Sequence, residues 1–144
     1  MAPLTVHKEI LIHAPTEIVG KVQIDIDAWS RWQSGISSAR TFSPVAATST
    51  FEWKSGGLTI RSEVQSFEPT RRISWTGVAL GTRAMHTWTF SAEQGGTLVT
   101  TDESMTGCLV SPLKRLTPTF LDKSLDVWLR DLKTTCETLA KSAG

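Results

Sequence analysis

Apolar and polar residues alternate along most of this chain, and only its last stretch switches to a helical period. In residues 4–13, Val6, Ile10 and Ile12 share one parity and predict a strand. Pro15 suits the first position of a helix, where its missing N–H would have no partner anyway, so a short helix is expected over residues 15–23. Asp27 is expected to cap a second short helix carrying Trp29 and Trp32, three residues apart. Residues 37–106 read as a strand meander. Gly56-Gly57 is a hairpin signal between residues 51–55 and 58–64, and Glu68-Pro69-Thr70, residues 78–83 and residues 92–97 supply the other turns. Glu52, Lys54, Arg61, Glu63, Gln65, Arg72, Ser74, Thr87, Thr100 and Asp102 fall on one parity, so one sheet face is wet and the other buried. Leu121, Leu125, Trp128, Leu129, Leu132, Cys136 and Leu139 then recur at three- and four-residue intervals, which predicts a long amphipathic helix that Pro118 begins or kinks.

The apolar face of residues 81–106 carries His86, Trp88, Phe90, Val99, Thr101, Glu103 and Met105. An acid and an imidazole on such a face cost several kcal/mol if buried without partners, so a pairing with each other or with a guest is expected. Strand register follows from the turns: Ser55 opposite Leu58, Ser66 opposite Arg71, Gly77 opposite Ala84, Ser91 opposite Leu98. One line across the inner face then reads Phe51, Ser62, Trp75, His86, Glu103, and its neighbours read Trp53, Ile60, Gly77, Ala84, Met105 and Val64, Ile73, Trp88, Thr101. This makes His86 and Glu103 cross-strand neighbours. It also sets small Gly77 and Ala84 beside Trp53 and Trp75, which leaves room that a helix cannot fill closely.

Composition narrows the function classes. The chain has 144 residues, enough for one domain with a sizeable core over 1–144, and a net charge of +1. Its basic residues are scattered, which argues against nucleic-acid binding. No apolar run is long enough to cross a bilayer, and residues 1–9 carry no export signal, so a cytoplasmic location without membrane insertion is expected. Cys108 and Cys136 lack metal or redox spacing and read as reduced packing residues. No His/Asp/Glu/Cys cluster has ligand spacing, His7 and His13 read as surface residues, and neither a phosphate loop nor a nucleophile elbow is present; no metal and no cofactor is expected. Six residues are Trp and none is Tyr.

Ile10-x-Ile12-x-Ala14-Pro15-x-Glu17-x-Val19 followed by Asp25-x-Asp27-x-Trp29-x-x-Trp32 resembles the opening of the START/Bet v 1-like (SRPBCC) superfamily, and most closely its polyketide cyclase/dehydrase-like group. Phe51-x-Trp53, Pro69-x-Arg71-x-Ile73-x-Trp75, His86-x-Trp88-x-Phe90 and Gly96-Thr97-x-Val99-x-x-x-Glu103-x-x-x-Gly107 extend the resemblance over nearly the whole chain. It implies an α+β helix-grip fold: a seven-stranded antiparallel sheet wrapped around a long C-terminal helix, two short helices after strand one, and a hydrophobic cavity between sheet and helix. Such proteins bind lipids, hormones, polyketides and other apolar molecules, and some are enzymes. The aromatic polyketide cyclases rely on pocket arginine and tyrosine, whereas this chain has no Tyr and its parity sets Arg61, Arg72 and Arg83 outward.

The expected function is binding of a small hydrophobic, ring-containing molecule by Trp29, Trp32, Trp53, Ile60, Ser62, Trp75, His86, Trp88, Glu103 and Met105. Roughly three of the tryptophans Trp29, Trp32, Trp53, Trp75 and Trp88 are expected to touch the cavity, the rest being core, with the Trp29/Trp32 pair at its entrance. The alternative is a cyclase/dehydrase-type enzyme in which His86 is the catalytic base and Glu103 orients it, against a purely structural pairing that clips the two strands. A weaker alternative is a co-chaperone-like interaction domain, which a collapsed cavity and a large exposed apolar patch would mark. Ligand identity and oligomeric state are not legible.

Overall fold

The computed structural model describes residues 3–143. Strand β1 (Leu4–Ile12) is followed by helix α1 (Thr16–Ile24), a 3₁₀ turn (Ile26–Ala28) and the one-turn helix α2 (Trp29–Trp32). The meander then runs through β2 (Ile36–Thr41), β3 (Thr50–Ser55), β4 (Leu58–Glu68), β5 (Arg72–Ala79), β6 (Thr82–Glu93) and β7 (Gly96–Gly107). Helices α3 (Val110–Leu116) and α4 (Phe120–Ala143) close the chain. All seven strands form one antiparallel sheet in the order β1-β7-β6-β5-β4-β3-β2, so the first strand returns to pair with the last. The stripe Leu125, Trp128, Leu129, Leu132 and Cys136 on α4 is buried, and its central residues share one core with Trp29, Phe51, Trp75 and Trp88. This is the helix-grip α+β fold, with the short helices after strand one.

Four local features differ from the sequence expectation. Pro15 precedes α1 rather than opening it; with ψ at 158° it is extended, and its carbonyl accepts from the amides of Ile18 and Val19. Asp27 does not cap α2, because the 3₁₀ turn runs straight into that helix and places Asp27 within the helical run. Its carboxylate instead accepts from the Thr41 amide (2.7 Å) and hydroxyl (2.9 Å), which fastens the end of β2. The β4–β5 register is displaced by two residues: Ser62 stands opposite Gly77 and Val64 opposite Trp75, with a bulge between Val64 and Ser66. The bulge changes parity, so Ser66 turns outward to bond Ser74 while Phe67, opposite Ile73, turns inward onto the core. Helix α3 was not expected. Its Pro112 lies within the first turn, where a missing N–H costs no helical hydrogen bond. Pro118 falls in the break between α3 and α4.

Candidate functional site

Helix α4 does not lie flush on the whole sheet. Towards its N-terminal end a cavity of about 290 Å³ opens between helix and strands. Residue size explains the gap. Gly77 pairs with Ala84, and Ala84 with Met105, so two of three neighbouring inward positions carry almost no side chain. The sheet side is lined by Trp53, Ile60, Trp75, His86, Glu103 and Met105, the helix side by Leu121, Leu125 and Trp128. Leu113 of α3 and Phe120 at the start of α4 close one end.

Three tryptophans are held by their own polar handles, while the buried Trp88 Nε1 has no partner among the described residues. Trp128 Nε1 donates to Gln23 Oε1 (3.3 Å), Trp29 Nε1 to the Gln23 carbonyl (2.9 Å) and Trp53 Nε1 to Ser62 Oγ (3.0 Å). The rings interlock in edge and tilted contacts: Trp128 lies 5.6 Å from Trp53, 6.1 Å from Trp75 and 5.3 Å from Trp88, centroid to centroid. Such packing fixes the aromatic wall before any guest arrives.

His86 and Glu103 are opposed across β6 and β7. His86 Nδ1 lies 3.3 Å from Glu103 Oε1, and the side chains are 4% and 12% exposed. The other ring nitrogen is hydrogen-bonded with the hydroxyl of buried Thr101 at 2.8 Å. Two effects compete here. Ion pairing at this distance would raise the imidazole and lower the carboxyl, whereas burial penalises charge on both. Burial is the larger: it pushes His86 down to about 3 and Glu103 up to about 7. His86 is therefore neutral at physiological pH, and Glu103 exchanges its proton there. No cluster among the described residues has the make-up of a metal site.

Of the residues singled out in the sequence, Trp53, Ile60, Trp75, His86, Glu103 and Met105 come together on the cavity wall. Trp29, Trp32, Ser62 and Trp88 do not line it. Trp29 and Trp88 are fully buried in the core, Trp32 packs half-buried against it, and the Ser62 hydroxyl is taken by Trp53. Neither Trp29 nor Trp32 is among the residues that line the cavity, although Gln33 and Gly35, just after them in the chain, are. Arg61, Arg72 and Arg83 are exposed and outside the cavity, as their parity requires. Sequence reasoning missed Trp128, Leu125, Leu113 and Phe120 as lining residues. The first two lay in the apolar helix stripe, but periodicity does not separate the part of a stripe that meets the sheet from the part that meets a void. Leu113 depends on α3, which the pattern did not reveal, and Phe120 opens α4 just before the stripe begins.

No curated protein matches the sequence. Solved structures share the fold at low identity. The Zhui aromatase/cyclase from Streptomyces sp. R1128 superposes with a TM-score of 0.86 at 13% identity, covering 99% of each chain. A hypothetical protein from Helicobacter pylori gives 0.83 at 18% identity, over 92% of this chain and 88% of that one. A START superfamily protein from Mycobacterium smegmatis gives 0.78 at 14%, over 96% and 99%. The family described as polyketide cyclase / dehydrase and lipid transport matches residues 3–137. With that match spanning both halves of the cavity, the chain belongs to the polyketide cyclase/dehydrase and lipid transport family.

Proposed function

We propose that this protein binds a small hydrophobic, ring-containing molecule in the cavity between sheet and α4. The observation that carries this reading is the cavity itself: about 290 Å³, walled by Trp53, Trp75 and Trp128 with aliphatic side chains around them. Apolar burial supplies the driving force, at about 25 cal/mol per Å² removed from water. Prepacked indoles keep the ordering cost low. His86 and Glu103 supply the few orienting polar contacts. Titration of intrinsic tryptophan fluorescence with flat aromatic and fatty probes tests the reading. Saturable quenching by the ring compounds is expected; no response to any probe contradicts it.

A second reading is an enzyme of the cyclase/dehydrase type, favoured by the 3.3 Å approach of His86 to Glu103 beside the cavity. The carboxyl at Nδ1 orients the His86 ring, and its action as base requires Nε2 to exchange the Thr101 hydroxyl for a substrate proton. Conversion of a polyketone, lost in His86→Ala while ring-compound binding persists, supports the enzyme. Binding without conversion supports the carrier.

A further inference from the structure

The ionisable side chains of the cavity are few and one-sided. Among the described residues lining it, only Glu103 and His86 titrate; no Lys or Arg reaches it. Lys8, on the inward parity of β1, is held by Asp122 (2.8 Å) and Asp126 (3.2 Å) of α4. The α4 residues facing Glu103 across the void, Leu121, Leu125 and Trp128, are uncharged. Two hydroxyls at the rim already have backbone partners: Ser55 donates to the Gly35 carbonyl (2.9 Å), and Thr82 accepts from the Leu109 amide (2.9 Å). An anionic guest therefore finds no cation and faces an acid. A cationic guest finds one carboxyl and three indoles, those of Trp53, Trp75 and Trp128.

Resting on the binding reading above, we propose that the ligand is a ring-bearing molecule with a basic amine, whose ammonium lies between the Glu103 carboxyl and the cavity indoles. Two effects act together. An ammonium over an indole face gains cation–π attraction that grows as water is excluded. The same charge offsets the desolvation that burial imposes on the carboxylate, so two charges that are each unfavourable alone become acceptable as a pair. Glu103, held up at about 7 while the cavity is empty, then gives its proton to solvent when the ammonium arrives. His86 remains neutral, since a second cation beside the guest would be repelled.

Calorimetry with three probes on one skeleton tests this: naphthylmethylamine, naphthalenemethanol and naphthoate. On the slightly acidic side of the Glu103 pKa, the amine is expected to bind about tenfold more tightly than the alcohol. Naphthoate is expected to bind weakest. Amine binding alone should release close to one proton, read from buffers of different ionisation enthalpy. Glu103→Gln should bring the amine-to-alcohol ratio to about one and abolish the release. If that variant does not fold, the wild-type proton count still decides. Alcohol or acid binding as tightly as amine, or a proton count of zero, overturns the proposal while leaving the cavity reading intact. Failure of all three probes to bind overturns both.

Discussion

Glu103 lies 3.3 Å from an imidazole, yet burial holds its carboxyl towards the neutral form. That has a measurable consequence for stability. A carboxyl raised from 4.5 to about 7 on folding contributes stability in full below pH 4.5 and loses it as pH rises through about 7. Glu103→Gln removes this loss. Urea unfolding across pH should show the variant gaining on the wild type by about 3 kcal/mol between the two limits, titrations remote from the pair cancelling in the difference. A difference running the other way, with the wild type gaining on the variant as pH rises, would show that ion pairing with His86, not burial, sets the carboxyl. His86 has the opposite sign: lowered from 6.5 to about 3, it contributes above pH 6.5 and is lost as pH falls through about 3. At this scale the sequence was informative where parity decides. The β6–β7 and β5–β6 registers follow from their turns, and they place Trp75, His86 and Glu103 in line. Ser62 was displaced from that line because the β4–β5 turn closes with Glu68 opposite Arg72, three residues off the expected register, and the bulge in β4 takes back only one of them.

Strand β7 is the element that joins the meander to β1, and its first residue, Gly96, lies hard against the β1 backbone. A Cβ on Gly96 would run into the Ile12 carbonyl, which is backbone and cannot swing aside. Gly96→Ala is expected to cost about 1–3 kcal/mol by this overlap, visible as a lowered midpoint in thermal unfolding. An unchanged midpoint would mean that β1 and β7 are free to part at that end. The same element scale explains what could be read early and what could not. Strands and the long helix announce themselves by periods of two and of three to four, and α4 was legible from Leu121 to Leu139. Helix α3 has only seven residues, too short to build a period, and its Pro112 reads as a breaker although it sits in the tolerated first turn. Asp27 looked like a cap in sequence because nothing there shows Thr41 arriving beside it.

At the scale of the whole molecule, one amphipathic helix serves as core and as cavity wall at once. Leu129 and Leu132 pack into the core, while Leu121, Leu125 and Trp128 meet the void beside Gly77 and Ala84. The fold class was legible from the strand parity and the family resemblance; which tryptophans border the void beneath α4 was not. Trp29 and Trp88 are as apolar and as inward as Trp53 and Trp75, and only the three-dimensional path of α4 separates them. The central claim is that this void is where a guest binds. The most direct measurement fills it: Ala84→Phe puts a ring between Gly77 and Met105 and leaves Glu103 and His86 unsubstituted. With folding checked by circular dichroism, calorimetric affinity for a neutral ring compound such as naphthalenemethanol should fall by about tenfold or more. Undiminished affinity in the folded Ala84→Phe protein would contradict the account.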